Sequence, residues 1–470
     1  MSDARIGTLI HEAATLRYSR RQILKRAGAL GLSAPVLAAV LAQTASAAPN
    51  PGPSRQAPAF LQGSKLNILA STYFVAPGQD HYTREAQAWG AQNGVEVTVD
   101  YVNWPDLQPK IGAAVQGGNG PDIVEMWDTW PYLYYQNMVE VNDLANKLGQ
   151  AGGGYYDWVT KTVAVDNNWY SVPVGFSSAA IAYRQSYFAE AGLADPVNGF
   201  PKTWEELFTI GKNLKAMGKP LGQALGHSLG DPPNFAYAYM WSYGAMEREE
   251  DGKTIAFNQP QFVDGMKLFI QGWKDAFDET GLSWDDSANN RAFLSDQISM
   301  TINGSSIYIT AQEAAAGTAE NAADVVVDPA DINHASFPGG PAGRFNVLGS
   351  RSYGIMKYSK NQDAARQYLE WWSAPERFQP WLEVQKGYII PPLPTYTENP
   401  IYTEDPKLAP YLEVVNYGRN KGYAGAADQK AALASSQYIV TDTFTRAIQT
   451  GDAEAAIMQG AEQLKRVYSR

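Results

Sequence analysis

Three stretches of this 470-residue chain carry residue types that could do chemistry. The first is Gly120-Pro121-Asp122-Ile123-Val124-Glu125-Met126-Trp127-Asp128-Thr129-Trp130. A Gly-Pro-Asp turn launches a short apolar run that stops at two tryptophans flanking an acid and a hydroxyl. Such a run reads as a parallel strand buried on both faces, and ligands of open α/β sheets lie beyond the carboxyl ends of strands. Trp127, Asp128 and Trp130 are therefore expected at a cleft, where flat apolar faces and a hydrogen-bond acceptor suit a polyhydroxylated ligand. The competing role for Asp128 is that of a catalytic acid.

The second stretch, Gly226-His227-Ser228-Leu229-Gly230, matches the G-x-S-x-G turn of serine hydrolases. That turn needs a strand directly before the serine and a helix directly after it. Here Pro220 and Gly222 precede it, Pro232-Pro233 is expected to block the helix, and only His334 remains downstream as a base. A secreted serine hydrolase using Ser228 is thus the rival assignment. The third set, Asp285-Asp286 and Glu247-Arg248-Glu249-Glu250-Asp251, offers carboxylates, but without the alternating spacing of a calcium loop. These runs read as solvated turns, although two distant carboxylates could in principle form a glycosidase pair. Trp241, Trp273 and Trp284 read as core or lobe surface rather than ligand platforms.

The chain has no cysteine, which excludes disulfides, thiolate catalysis and thiolate metal sites. Its four histidines, His11, His81, His227 and His334, share no ligand spacing, so no metal or cofactor is expected. A net charge of -11 with no basic block beyond the N-terminus excludes nucleic acid and anionic membrane surfaces as partners.

The elements that must position these residues alternate. Leu66–Ala70 reads as a strand, the segment around Tyr82–Gln92 as a helix, Val95–Asp100 as a half-buried strand, and Leu107–Val115 as a helix closed by Gly117-Gly118. With the strand that follows Gly120 this is a doubly wound α/β pattern. Trp169–Phe176 and Ala179–Tyr183 are extended, and Pro173 and Gly175 are expected to interrupt them where the chain passes from one lobe to another. Thr203-Trp204-Glu205-Glu206 is a capping box opening a helix to about Met217. Phe262–Phe277 is helical, Ile298–Ile302 is a strand, and Arg351–Met356 is the next one. Asp363 is expected to cap a helix through Trp372, and Ala453–Leu464 is an amphipathic helix.

The N-terminus reads as an export signal. Arg20-Arg21 sits in a basic region, uncharged Ala/Leu-rich sequence follows, and Ala45-Ser46-Ala47 fits a cleavage site, so residues 1–47 are expected to be a twin-arginine signal peptide. Residues 48–64 form a Pro-rich linker. Residues 1–47 hold six Lys/Arg and two Asp/Glu, so the chain beyond them is more acidic still.

From Lys65 to about Leu464 the chain resembles the family 1 extracellular solute-binding proteins, the maltose-binding-protein-like receptors of ABC importers. The resemblance rests on Gly120–Val124, Trp169–Pro173, Thr203–Leu207, Ser299–Gly304, Ala364-Ala365 through Ser373, and Gly387–Pro391, in that order. It departs from the family at Asp296 and Ser299, where Gly and Ala are usual, and at Leu348-Gly349-Ser350-Arg351. The resemblance implies a type II periplasmic-binding-protein fold: two α/β lobes, each a mixed sheet flanked by helices, with hinge crossings between them. Lobe 1 would comprise 65–176 and 351–405, and lobe 2 would comprise 177–350 and 406–470. The implied function is a monomeric, non-enzymatic receptor outside the cytoplasmic membrane, which binds a carbohydrate and delivers it to the permease subunits of an ABC transporter. The ligand groups it implies are Tyr73, Trp127, Asp128, Phe176 and Ser177, with Asp231, Asn234 and Tyr237 in a loop, and Gly304, Ser305 and Ser306 on the second lobe. Arg351 and Tyr353 would lie at the second crossing.

Overall fold

A computed structural model describes residues 61–319 and 322–469. The signal peptide and most of the Pro-rich linker expected from the sequence lie outside the described residues. Two mixed sheets organise the rest. The first has the order β2-β1-β3-β10-β4, with β1 Lys65–Ser71, β2 Glu96–Val102, β3 Ile123–Trp127, β4 Ser171–Gly175 and β10 Arg351–Ile355. β1 is parallel to β2 and β3, and β10 is antiparallel to β3 and β4. The second has the order β6-β7-β5-β8, with β5 Ala180–Arg184, β6 Leu221–Gly222, β7 Met300–Asn303 and β8 Ile332–Ala335. A two-stranded ribbon pairs β9 Asn346–Val347 with β11 Gly418–Arg419.

Register puts the functional ends together. Ser71 pairs with Val102, Trp127 with Arg351, and Arg351 with Gly175, so all five stand on one edge of the first sheet. In the second sheet Ala180 pairs with Asn303. Only residues 176–179 separate Gly175 from Ala180, so this short crossing brings the two edges face to face.

The helices follow from local chemistry. α1 Ala76–Asn93 starts on Pro77 and stops at Gly94 in the left-handed conformation, burying Tyr82, Ala86 and Trp89. α2 Trp104–Gly117 stops at Gly118 in the same way. α3 Trp204–Ala216 has the full Thr203/Glu206 capping box. α4 Asp231–Ser242 and α5 Pro260–Ala276 follow. α6 Gln362–Trp372 is preceded by Asn361, not capped by Asp363, which lies inside the first turn. α7 Ile439–Thr450 and α8 Ala453–Tyr468 complete the chain.

One core gathers Leu66, Ile68, Ile123, Tyr353, Tyr368, Trp372 and Trp381 around the first sheet. Another gathers Trp204, Phe235, Tyr239, Phe269, Trp273 and Phe444 around the second, with α7 and α8 returning to it. Trp241, Trp273 and Trp284 are all buried.

Two expectations need correction. Pro173 does not interrupt the extended run, because it sits inside β4, the outer strand of its sheet, where a missing N–H is tolerated, whereas Gly175, at φ 108°, ends β4 where the chain passes to β5, as expected. Pro232-Pro233 does not block a helix: both prolines fall in the first turn of α4, whose N–H groups have no intrahelical partner. The stretch from Asp231 to Tyr237 is therefore helix rather than loop.

Candidate ligand-binding cleft

The facing edges enclose a cavity of about 40 Å³. Its first wall grows from the end of β3. Trp127 is buried, with its ring 4.3 Å from that of Trp104, and Phe74 stands 4.9 Å further on. The Trp104 indole N–H donates to the Thr72 carbonyl at 2.7 Å, whereas the Trp127 indole N–H has no acceptor among the described residues. Asp128 follows with φ 45°, a left-handed conformation that an aspartate tolerates. Its N–H donates to the Ser350 carbonyl, and its carboxylate takes a 2.5 Å bond from the buried Lys421 ammonium. A Cβ on Gly349 would come within 2.2 Å of Asp128 Oδ1, so the glycine lets the crossing pass against this carboxylate.

The crossing forms the floor. Phe176 exchanges backbone hydrogen bonds with Ile390 at 3.0 and 2.8 Å and meets Trp158 edge-on. The Ser178 hydroxyl donates to the Tyr411 carbonyl. Ser177 and Tyr388 also line the cavity.

The second wall is built on the N-terminus of α4 and the end of β7. Asp286 accepts the Gly230 and Asp231 N–H groups at 3.0 and 2.7 Å, together with the Ser228 hydroxyl. It thereby caps α4 from outside the helix, with the dipole favouring its charge. The Asp231 carboxylate takes bonds from the amides of Asn289 and Asn303 at 2.8 and 2.9 Å, both to Oδ2. Burial, reinforced by the neighbouring Asp286, pushes Asp231 well above the usual carboxylate range, and burial raises Asp286 as well. Asn234 lies one turn along α4. Gly304 follows β7 where a Cβ would come within 2.7 Å of the Tyr388 ring.

Of the residues expected from the sequence, Trp127, Asp128, Phe176, Ser177, Asp231, Asn234 and Gly304 line this cavity. The others are placed elsewhere. Arg351 is buried beneath Trp127, bonded to Glu125 at 2.9 Å and 4.9 Å from the ring centres of both Tyr73 and Trp127. Tyr73 meets the Tyr353 hydroxyl at 3.2 Å, and Tyr353 stacks on Tyr82. Burial pushes Tyr73 up to about 12. These three support the wall from behind. Tyr237 points into the second core, donating to Glu247 at 2.8 Å. Ser306 bonds the Asn303 amide oxygen, and Ser305 is buried with an unpartnered hydroxyl.

The sequence reading missed Asp286, Asn303, Tyr388, Gly349 and Lys421. Asp286 and the Glu247-Arg248 pair are buried, not parts of solvated turns: one caps a helix, and the other two are held by Tyr237, Tyr468 and Asp428. A run of acids shows its charge but not which member turns inward.

The Ser228 motif does not form a hydrolase turn. β6 ends at Gly222, eight residues separate it from α4, and Ser228 is fully buried with its hydroxyl committed to Asp286. His227 points away, at 2.7 Å from Asp442 and stacked on Tyr438, while His334 Nδ1 lies 2.9 Å from the Lys407 carbonyl. Among the described residues no group of His, Asp and Glu has the arrangement of a metal site.

Two facing α/β lobes with a polar and aromatic cavity between their sheet edges define the class of two-lobed binding proteins. The chain belongs to the family of bacterial extracellular solute-binding proteins, whose model matches residues 86–410. It is 22% identical over 313 residues to a Brucella abortus (strain 2308) binding protein, covering 65% of this chain and 71% of that one. It is 24% identical over 134 residues to the diacetylchitobiose binding protein DasA of Streptomyces coelicolor, covering 28% and 30% of the two chains. Among solved structures it is similar to a Thermotoga lettingae ABC-transporter solute-binding protein bound with α-D-tagatose, at TM-score 0.72 and 18% identity, covering 86% of this chain and all of that one. An Arthrobacter chlorophenolicus sugar transporter with bound laminaribiose matches with TM-score 0.72 and 16% identity, covering 86% and 99%. No helix among the described residues is long and apolar enough to cross a membrane.

Proposed function

We propose that this protein is the receptor of an ABC importer, capturing a carbohydrate outside the cytoplasmic membrane and delivering it to the permease subunits. The observation that carries this reading is the cavity between the two sheet edges, where Trp127 and Phe176 supply flat faces and Asp231, Asn234 and Ser177 supply hydrogen-bonding groups. Aromatic faces match the C–H faces of sugar rings, and the polar groups match their hydroxyls. Lobe 1 is 65–176 with 351–405, and lobe 2 is 177–350 with 406–470. The protein acts as a monomer without catalysis, after twin-arginine export and removal of residues 1–47.

A cavity of about 40 Å³ has room for only one or two waters, against roughly 300 Å³ or more for small-molecule sites. A sugar can enter only if the lobes part, with residues 176–179 and 348–350 as the hinge. The test is thermal unfolding across mono- and oligosaccharides, polyols and glycerophosphodiesters, since a specific ligand raises Tm progressively with its concentration. Stabilisation by at least one carbohydrate is the expected result; a flat response to the whole panel would sink the reading. Trp127→Phe removes only the unpartnered indole N–H and part of the face, so it should weaken that ligand about tenfold or less while leaving the melting temperature of the free protein nearly unchanged.

A further inference from the structure

The charges lining the cleft do not balance, and the imbalance lies on one wall. On the first wall every carboxylate has a cation: Glu125 bonds Arg351 and Asp128 bonds Lys421. On the second wall Asp231 and Asp286 are 7% and 4% exposed, and their partners are amides, one serine hydroxyl and backbone N–H groups. No Lys, Arg or His among the described residues bonds either one. His227 is committed to Asp442, and Arg291 to the Ser287 hydroxyl. Both amide bonds to Asp231 fall on Oδ2, and the residue lines the cavity.

A buried ionised carboxylate without a counter-charge costs several kcal/mol, and two adjacent ones cost more. The fold has kept the pair at the lip of the cleft, and only a cation or a proton can relieve it. A sugar hydroxyl donates to a carboxylate but does not neutralise it. The opposite wall is already neutral and ends in the Trp127 indole N–H, a buried donor that faces no acceptor of the protein's own. Trp127 lines the cavity, so this donor is left for an oxygen acceptor on the ligand.

Resting on the carbohydrate-receptor reading above, we propose that the ligand of this cleft carries a basic amine, as an amino sugar or aminocyclitol unit does. Asp231 pairs with its ammonium, Asp286 supplies the second negative charge and holds the α4 N-terminus in place, and Trp127 covers the ring and donates to one of its oxygens. Asp231 is then the residue that separates amine-bearing ligands from neutral isosteres. The ligand brings the counter-charge that Arg351 and Lys421 provide on the other wall.

The test uses matched pairs differing only in a free amine against a hydroxyl: glucosamine with glucose, galactosamine with galactose, fully deacetylated chitobiose with cellobiose. Affinities are measured at pH 7 by calorimetry on the full protein and on Asp231→Asn. In at least one pair the amine should bind ten or more times more tightly than its isostere. That gap should close to less than threefold in Asp231→Asn, whatever the neutral partner's own affinity becomes. If neutral sugars bind and no amine gains over its isostere, the amine assignment is overturned and the carbohydrate reading stands. If no member of any pair binds and the broader carbohydrate panel is also silent, both fall. A gap that survives in Asp231→Asn overturns the role of this residue, and Asp286→Asn then shows whether its neighbour carries the selectivity.

Discussion

The two walls of the cleft treat buried carboxylates in opposite ways. Glu125 lies at 0% exposure and is held by Arg351, the Ser71 N–H and the Ser71 hydroxyl, so its charge is matched and its acceptors are occupied. Asp231 lies almost as deep and is held by two neutral amides. A carboxylate given its own cation is part of the scaffold, because losing either partner strands a charge. A carboxylate given only dipoles is strained by its burial, and that strain is relieved by whatever enters the cleft. The contrast therefore separates framework from recognition, and it can be broken experimentally.

The largest effect is expected on the matched wall. Glu125→Ala would leave the Arg351 guanidinium buried among Tyr73, Trp127 and Tyr353 without a counter-ion, costing about 3–5 kcal/mol of stability in urea unfolding. A loss under about 1 kcal/mol would mean that this ion pair is not a stabilising part of the framework. Lys421→Met should cost less, about 2 kcal/mol, because Asp128 keeps 19% of its side chain exposed to water. It should also raise the amplitude of lobe opening seen by small-angle scattering, since Lys421 lies on the chain that returns to the second core while Asp128 ends β3.

Glu247 is an intermediate case, held by the Tyr237 and Tyr468 hydroxyls at 2.8 and 3.1 Å. Burial pushes it up to about 6 despite those hydroxyls. A carboxyl whose folded-state pKa is raised binds its proton more tightly when folded, so its contribution is full below about 4.5 and is lost as pH rises through about 6. Wild-type stability should fall by about 2 kcal/mol across that window from this group. Glu247→Gln should remove that part of the slope, and an unchanged profile would contradict the assignment.

Much of the scaffold was legible in the chain, and the reasons are local. Gly94 and Gly118 mark helix ends because only a residue without a Cβ adopts the left-handed conformation at no steric cost. Thr203 and Glu206 mark a helix start because each satisfies a free N–H of the other. The departure from the family's usual glycine at Asp296 has a tertiary reason instead. It sits at φ 65° and gives its carboxylate to Arg184, Lys219 and Tyr187, so a tolerable backbone gains three partners. The candidate cleft was legible at the end of β3, where Trp127 follows from the strand itself, while Phe176 and Gly304 were implied by the family resemblance. It was not legible where tertiary pairing decides. Lys421 meets Asp128 across 293 positions of sequence, and nothing near either residue announces the other. Asp285 and Asp286 are chemically identical neighbours, yet only Asp286 turns inward, because the α4 N-terminus lies on that side.

The smallest effect has the opposite sign and is the sharpest test of the contrast. Asp231→Asn preserves shape and leaves an oxygen to accept from Asn289 or Asn303, while removing a charge that burial and Asp286 disfavour. Because the folded-state pKa of Asp231 is raised above its ordinary value of 3.8, its ionisation destabilises the folded protein increasingly as pH rises from about 4. The variant should therefore match the wild type near pH 3.5 and exceed it at pH 7 in urea unfolding. Asp231 cannot be a structural anchor of the kind Glu125 is if its neutral isostere makes the free protein more stable. If instead the variant is less stable at every pH, Asp231 has a counter-charge within the fold, and the two walls do not differ in the way their hydrogen bonds indicate.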